Sequence, residues 1–225
     1  MFIGHFAVAL GAKRIAPAVS LGTLFLACQL ADLVWPSLVL LGIESVAIDP
    51  GNTMLTPLDF RYYPFSHSLL MLGLWAAVFA ALYSVLVRVD RKVIAVIIGL
   101  VLSHWLLDVL THRPDMPLVP GNGVRLGLGL WNAPAAAIVA ELSLFALGTW
   151  LYMRSTTAID RKGRIGFWAL IAFLLLVNVA NVLAGISGSP PPSANAVAWS
   201  AQAIWLLVAW GYWVDSHRVA NRPLK

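Results

Sequence analysis

Residues 93–112 read VIAVIIGLVLSHWLLDVLTH. About 20 mainly apolar residues are what a helix needs to cross a bilayer core about 30 Å thick. This run has the length and the composition, yet it carries His104, Asp108 and His112. They stand at i, i+4 and i+8, so at about 3.6 residues per turn they share one helix face, drifting about 40° per step. The run therefore reads as a membrane span with a polar stripe. An i, i+4 pair of ligands on one helix can hold a metal ion. A proton relay or a buried ion-paired cluster would use the same spacing.

Five further apolar runs lie around it, at about 18–42, 65–87, 130–153, 165–187 and 195–215. With 93–112 they predict an all-α, polytopic membrane bundle of six transmembrane helices. No internal repeat and no linker divides the 225 residues, so one domain is expected. Residues 1–153 bear its polar groups, and 165–215 serve as scaffold. Composition agrees: 60% of the chain is hydrophobic and 11% is charged, against about 25% charged in soluble domains. A soluble fold could not cover its surface with so few charges.

The net charge of +5 is explained by placement, and nucleic acid is not needed as a partner. With the N-terminus on the cytoplasmic side, inner segments hold Lys13, Arg14, Arg88, Arg91, Lys92, Arg154, Arg161, Lys162, Arg164, Arg218, Arg222 and Lys225. Outer segments hold Arg61, Arg113 and Arg125, which makes twelve against three of the fifteen basic residues. Such a bias sets orientation and predicts both termini inside, in a bacterial-type cytoplasmic (inner) membrane, with membrane lipid as the surrounding partner. The N-terminus is apolar first and basic after, at Lys13-Arg14, the reverse of a cleaved signal peptide. The single cysteine, Cys28, excludes a disulfide within the chain.

Ionisable groups inside spans are costly and default to function. Asp32 lies in the first span, with Gln29 one turn earlier; Ser66-His67-Ser68 opens the second; Glu141 lies in the fourth. At about 1.5 Å per residue, Asp32, His104, Asp108 and Glu141 stand roughly 21, 16, 22 and 18 Å above the cytoplasmic end, and His67 roughly 27 Å. Groups on separate helices thus reach similar depths, as convergence on one centre requires. Residues 1–12 are apolar but too short to cross. Either they form a half-helix that carries His5 into this layer, or they lie flat on the leaflet with His5 solvated. The expectation adopted is the half-helix.

Taken together these residues resemble the YdjM-like family of membrane-bound metal-dependent hydrolases. The likeness rests on Gly4-His5, Asp32, Phe65-Ser66-His67-Ser68-Leu69, Ser103-His104-Trp105-Leu106-Leu107-Asp108, His112-Arg113-Pro114-Asp115 and Gly127-Leu128-Gly129-Leu130-Trp131-Asn132. It covers about residues 1–153. Ser66 stands where the family has threonine, and Gln29 is the polar residue nearest Asp32 where a second Asp is common. The resemblance implies a hydrolase holding a divalent metal, zinc or else iron or manganese. Its expected ligands are His5, Asp32, His67, His104 and Asp108. Glu141 would act as general base or ligand, and His112 would protonate a leaving group. Arg113 and Arg125 would hold a phosphate. Gln29, Asp115 and Asn132 would support the ligands, while Ser66 and Ser68 would cap the second span. The substrate expected is amphiphilic, for example a lipid phosphoester entering from the outer leaflet. An ion-coupled carrier and a metal-stabilised structural protein are the competing readings.

Overall fold

The computed structural model describes residues 1–121 and 123–221; of the basic residues counted above, Arg222 and Lys225 lie outside the described residues. Among the described residues five helical stretches are long and apolar enough to cross a membrane, and a bent pair makes a sixth. The chain is a helical membrane bundle.

The helices are α1 (Ile3–Ala12), α2 (Leu21–Cys28), α3 (Leu30–Leu40), α4 (Pro64–His67), α5 (Leu69–Leu86), α6 (Arg91–Thr111), α7 (Pro134–Ser155), α8 (Arg161–Ile186), α9 (Ala194–Ala201) and α10 (Ile204–Ser216). Polar caps start five of the ten by satisfying first-turn N–H groups. Ser20 accepts from Thr23 N, Ser68 from Met71 N, Asp90 from Val93 N, Asp160 from Gly163 N and Ser193 from Ala196 N. Pro134 opens α7 at a position where its missing N–H costs nothing.

Two expected spans are corrected. The first is two helices, α2 and α3, bent by 55° at Gln29. The break falls immediately after Cys28, whose carbonyl accepts from His104 Nδ1 on α6 at 2.8 Å. Non-helical backbone at membrane depth is tolerated where protein groups satisfy it. The second span does not begin at residue 65. Pro64–His67 forms its own turn, Ser68 is extended (φ −73°, ψ 145°), and α5 starts at Leu69. Ser68 caps α5 as expected; Ser66 does not, because it faces Glu44 and His67 instead.

Helix α1 is buried almost all round, as an evenly apolar helix must be. It packs against α7, α2 and α6. At the α1–α7 crossing Gly148 lies against the Ala7 backbone, where a Cβ would collide with the Ala7 carbonyl. Glycine there allows the close approach that seats α1. This is the half-helix expected of residues 1–12.

The connections carry three antiparallel strand pairs: β1 (Ser45–Ile48) with β2 (Leu58–Tyr62), β3 (Met116–Pro117) with β4 (Arg125–Leu126), and β5 (Thr156–Ala158) with β6 (Arg218–Ala220). β5–β6 joins the 154–164 connection to the C-terminal segment. Lys13 joins the same end through Asp215. Lys13 and the basic residues of the 154–164 connection and the C-terminal segment thus share one end of the bundle, while β1–β2 and β3–β4, with Arg61 and Arg125, lie at the other.

Candidate metal centre

Five polar side chains from four helices meet beside the α2–α3 break. His5 comes from α1, Asp32 from the first turn of α3, His67 from α4, and His104 and Asp108 from α6. Four are closed off, with side chains at most 4% exposed; Asp32 is 30% exposed. The centre therefore opens on the Asp32 side.

Asp108 is the hub. Its Oδ1 lies 3.0 Å from His5 Nε2 and 2.7 Å from the Met1 nitrogen. Its Oδ2 lies 3.1 Å from His104 Nε2 and 4.0 Å from His67 Nε2. Asp32 Oδ1 lies 3.4 Å from His67 Nε2 and 3.7 Å from His104 Nε2. Asp108 Oδ2, His104 Nε2, Asp32 Oδ1 and His67 Nε2 thus close a ring with edges of 3.1, 3.7, 3.4 and 4.0 Å. Bonds of about 2.0–2.1 Å to a tetrahedral zinc would set ligand atoms about 3.3–3.4 Å apart. Two triads, His5–His104–Asp108 and Asp32–His67–His104, each bring their ligand atoms within 4.8 Å of one another. His104 belongs to both. The His5 and His104 rings stack, centroids 3.8 Å apart and 4° from parallel.

Proton positions follow from the outer partners. A backbone carbonyl only accepts, so His104 Nδ1 carries the proton it gives to Cys28. In the neutral imidazole Nε2 then holds a lone pair. That nitrogen is buried and makes no hydrogen bond, although Asp108 Oδ2 is 3.1 Å away. His67 follows the same logic. Ser66 donates to Glu44 Oε2 at 2.6 Å, so its oxygen accepts from His67 Nδ1 at 2.7 Å. Lone pairs of two buried imidazoles thus face two carboxylates. A divalent cation resolves that conflict, and His/Asp donors suit it. These buried groups are able to hold a metal ion.

Glu44 is the participant that sequence reasoning missed. It is 2% exposed and also accepts from the backbone nitrogens of Phe65 and Ser66, at 2.7 and 2.9 Å. It thereby holds the α4 turn as well as the His67 tautomer. A lone acid just past an apolar run resembles any loop carboxylate, so no signal marked it.

The remaining candidates stand around this centre. Glu141 accepts from Phe2 N at 2.8 Å, so it grips the start of α1. Gln29 is fully buried at the break, and neither atom of its amide has a partner. His112 lies apart from the five, among Trp131, Phe60 and Tyr63. Its Nδ1 is 3.0 Å from Asp115 Oδ1, which also accepts from the Tyr63 hydroxyl at 2.7 Å. Arg113 is tied to Asp59 and Asp115. Arg125 is exposed on β4 and forms no ion pair among the described residues. Asn132 is exposed beside Gly129, away from the five. Family models, curated proteins and solved structures all yield no match to this chain.

Proposed function

We propose that the chain is a membrane-embedded, metal-dependent hydrolase of the YdjM-like kind, acting on an amphiphilic ester such as a lipid phosphoester. The observation that carries the reading is the unpartnered Nε2 of His104, deep in the bundle between Asp32 and Asp108. Burying an imidazole lone pair against carboxylates has no return unless a cation joins them. His67, His104, Asp32 and Asp108 would hold the ion, with zinc first in order and iron or manganese behind it. Bound there, it would supply a Lewis acid and an activated water for ester hydrolysis.

The chain's own groups divide the remaining work. His5 braces Asp108 and stacks on His104, fixing the ring. Asp32 lies at the opening, where a substrate head group would arrive. Asp115 orients His112 through Nδ1, so that the ring, when doubly protonated, would present its Nε2–H to a leaving group. Arg125, which forms no ion pair among the described residues, is better placed to meet an anion than Arg113, which is already paired with Asp59 and Asp115. Glu141 is read as an anchor for α1 in place of a general base, since it already accepts from Phe2. The charge split supports an inner-membrane protein with the basic end in the cytoplasm.

One observation favours a second reading. Ion-coupled carriers place sites at broken helices, and α2–α3 is broken beside Asp32. Metal analysis separates the two. Wild type should purify with stoichiometric metal, and His104→Ala or Asp108→Ala should purify without it. Metal-dependent release of product from amphiphilic phosphoesters should then follow in wild type alone. Metal-free wild type that takes up ions in proteoliposomes would make the carrier reading the better one. Stoichiometric metal with no turnover on any ester would leave a structural centre.

A further inference from the structure

Away from the centre, a groove of about 810 Å³ runs along the seam between α8 and α10. Its volume falls in the range of small-molecule sites, about 300–1,000 Å³. Small residues make the seam hollow: Gly166 and Ala169 on α8, Ala209 on α10. Trp213 walls it and is 45% exposed. Arg161 and Lys162, the first two residues of α8, contribute the groove's charge.

Those two cations form no direct ion pair among the described residues. The nearby acids are engaged elsewhere. Asp160 accepts from Gly163 N and pairs with His217, each at 2.8 Å. Asp215 pairs with Lys13 at 2.6 Å and accepts from the Tyr152 hydroxyl at 3.0 Å. From Arg161 to Ala169 the helix descends about 12 Å, so the groove is charged at head-group level and apolar below.

We propose that this groove binds one anionic phospholipid, its phosphate on Arg161 and Lys162 and an acyl chain along Gly166, Ala169 and Ala209 beside Trp213. A zwitterionic lipid would bring its own ammonium alongside its phosphate, whereas an anionic head group meets the two cations without one. A second helix packed in the seam would have no use for them and would meet the exposed indole edge. Tryptophan beside cations at the end of a span is the arrangement expected at a membrane interface.

The test uses the full chain reconstituted in phosphatidylcholine bilayers with and without added phosphatidylglycerol. Lipid retained per chain is then read by native mass spectrometry. Wild type should keep one phosphatidylglycerol in preference to phosphatidylcholine. The exposed double variant R161Q/K162Q should lose that preference by about thirtyfold, on the scale expected for two basic residues at an anionic surface. Ala169→Phe, which fills the groove and leaves the charges, should release the lipid while the metal content of the purified protein stays at the wild-type level. The proposal is overturned if wild type holds both lipids alike, or if the double variant keeps the preference. It is also overturned if wild type is a dimer that Ala169→Phe splits, since a second copy would then own the groove.

Discussion

The Glu44 carboxylate lies 2.6 Å from the Ser66 hydroxyl, and through it sets the proton on His67 Nδ1. Partners one step removed from a metal ligand typically carry 10–100-fold in affinity. Glu44→Gln should therefore weaken zinc binding to the purified protein by roughly that factor, while zinc still binds. Ser66→Ala should move affinity in the same direction. Isothermal titration after chelation checks both; wild-type affinity in both variants would remove the relay from the site.

Lys13 and Asp215 form a buried pair at the basic end, tying the segment after α1 to α10. Lys13 Nζ also donates to the Val19 carbonyl at 2.7 Å. Removing one partner strands the other charge, at a cost of about 3–5 kcal/mol. Lys13→Met should lower unfolding stability on that scale in detergent. Metal content of the fraction that stays folded should not change, because the pair is remote from Asp108. Unchanged stability would show that water reaches Asp215 freely.

Asp160 lies outside the membrane helices, capping α8. The Gly163 N–H, with His217 adding to it, holds its carboxyl below the usual carboxylate range. A carboxyl depressed in the folded state contributes fully above its unfolded pKa, about 3.9. That contribution fades as pH falls from there through the folded value. Melting temperature should thus lose an increment in that acid window. Asp160→Asn, which still caps a helix, should melt below wild type at neutral pH and converge with it as pH falls through that window. Identical acid limbs in a pH series of thermal melts would disprove the linkage.

Orientation is testable with thiol chemistry, because the native Cys28 is buried and silent. Ile159, 64% exposed, sits at the basic end; Leu128, 75% exposed, sits at the opposite end. In intact cells an impermeant maleimide should label Leu128→Cys and spare Ile159→Cys until the membrane is opened. The reverse pattern would invert the assignment drawn from the twelve-to-three charge split.

The bilayer made much of this protein legible from sequence. A span must be long and apolar to shelter its backbone, so the apolar runs that become spans could be read from sequence, though not the break in the first or the start of the second, and polar residues inside them stood out. His104 and Asp108 shared a face by helical period alone. Similar depth brought Asp32 and His67 to the same layer, and short-range capping rules placed Ser68. Tertiary structure alone decided the rest. Whether residues 1–12 entered the bundle depended on the fit of α1 against Gly148 of α7, a contact between residues far apart in sequence. The break at Gln29 owes nothing to its own run of residues that was visible; its Cys28 carbonyl is satisfied by a histidine 76 positions away. Glu44 became part of the centre only because the α4 turn folded back onto it, and Glu141 met α1 at Phe2. Hydropathy and period act within a segment, whereas hydrogen bonds in a low-dielectric interior are chosen by whichever segments pack together.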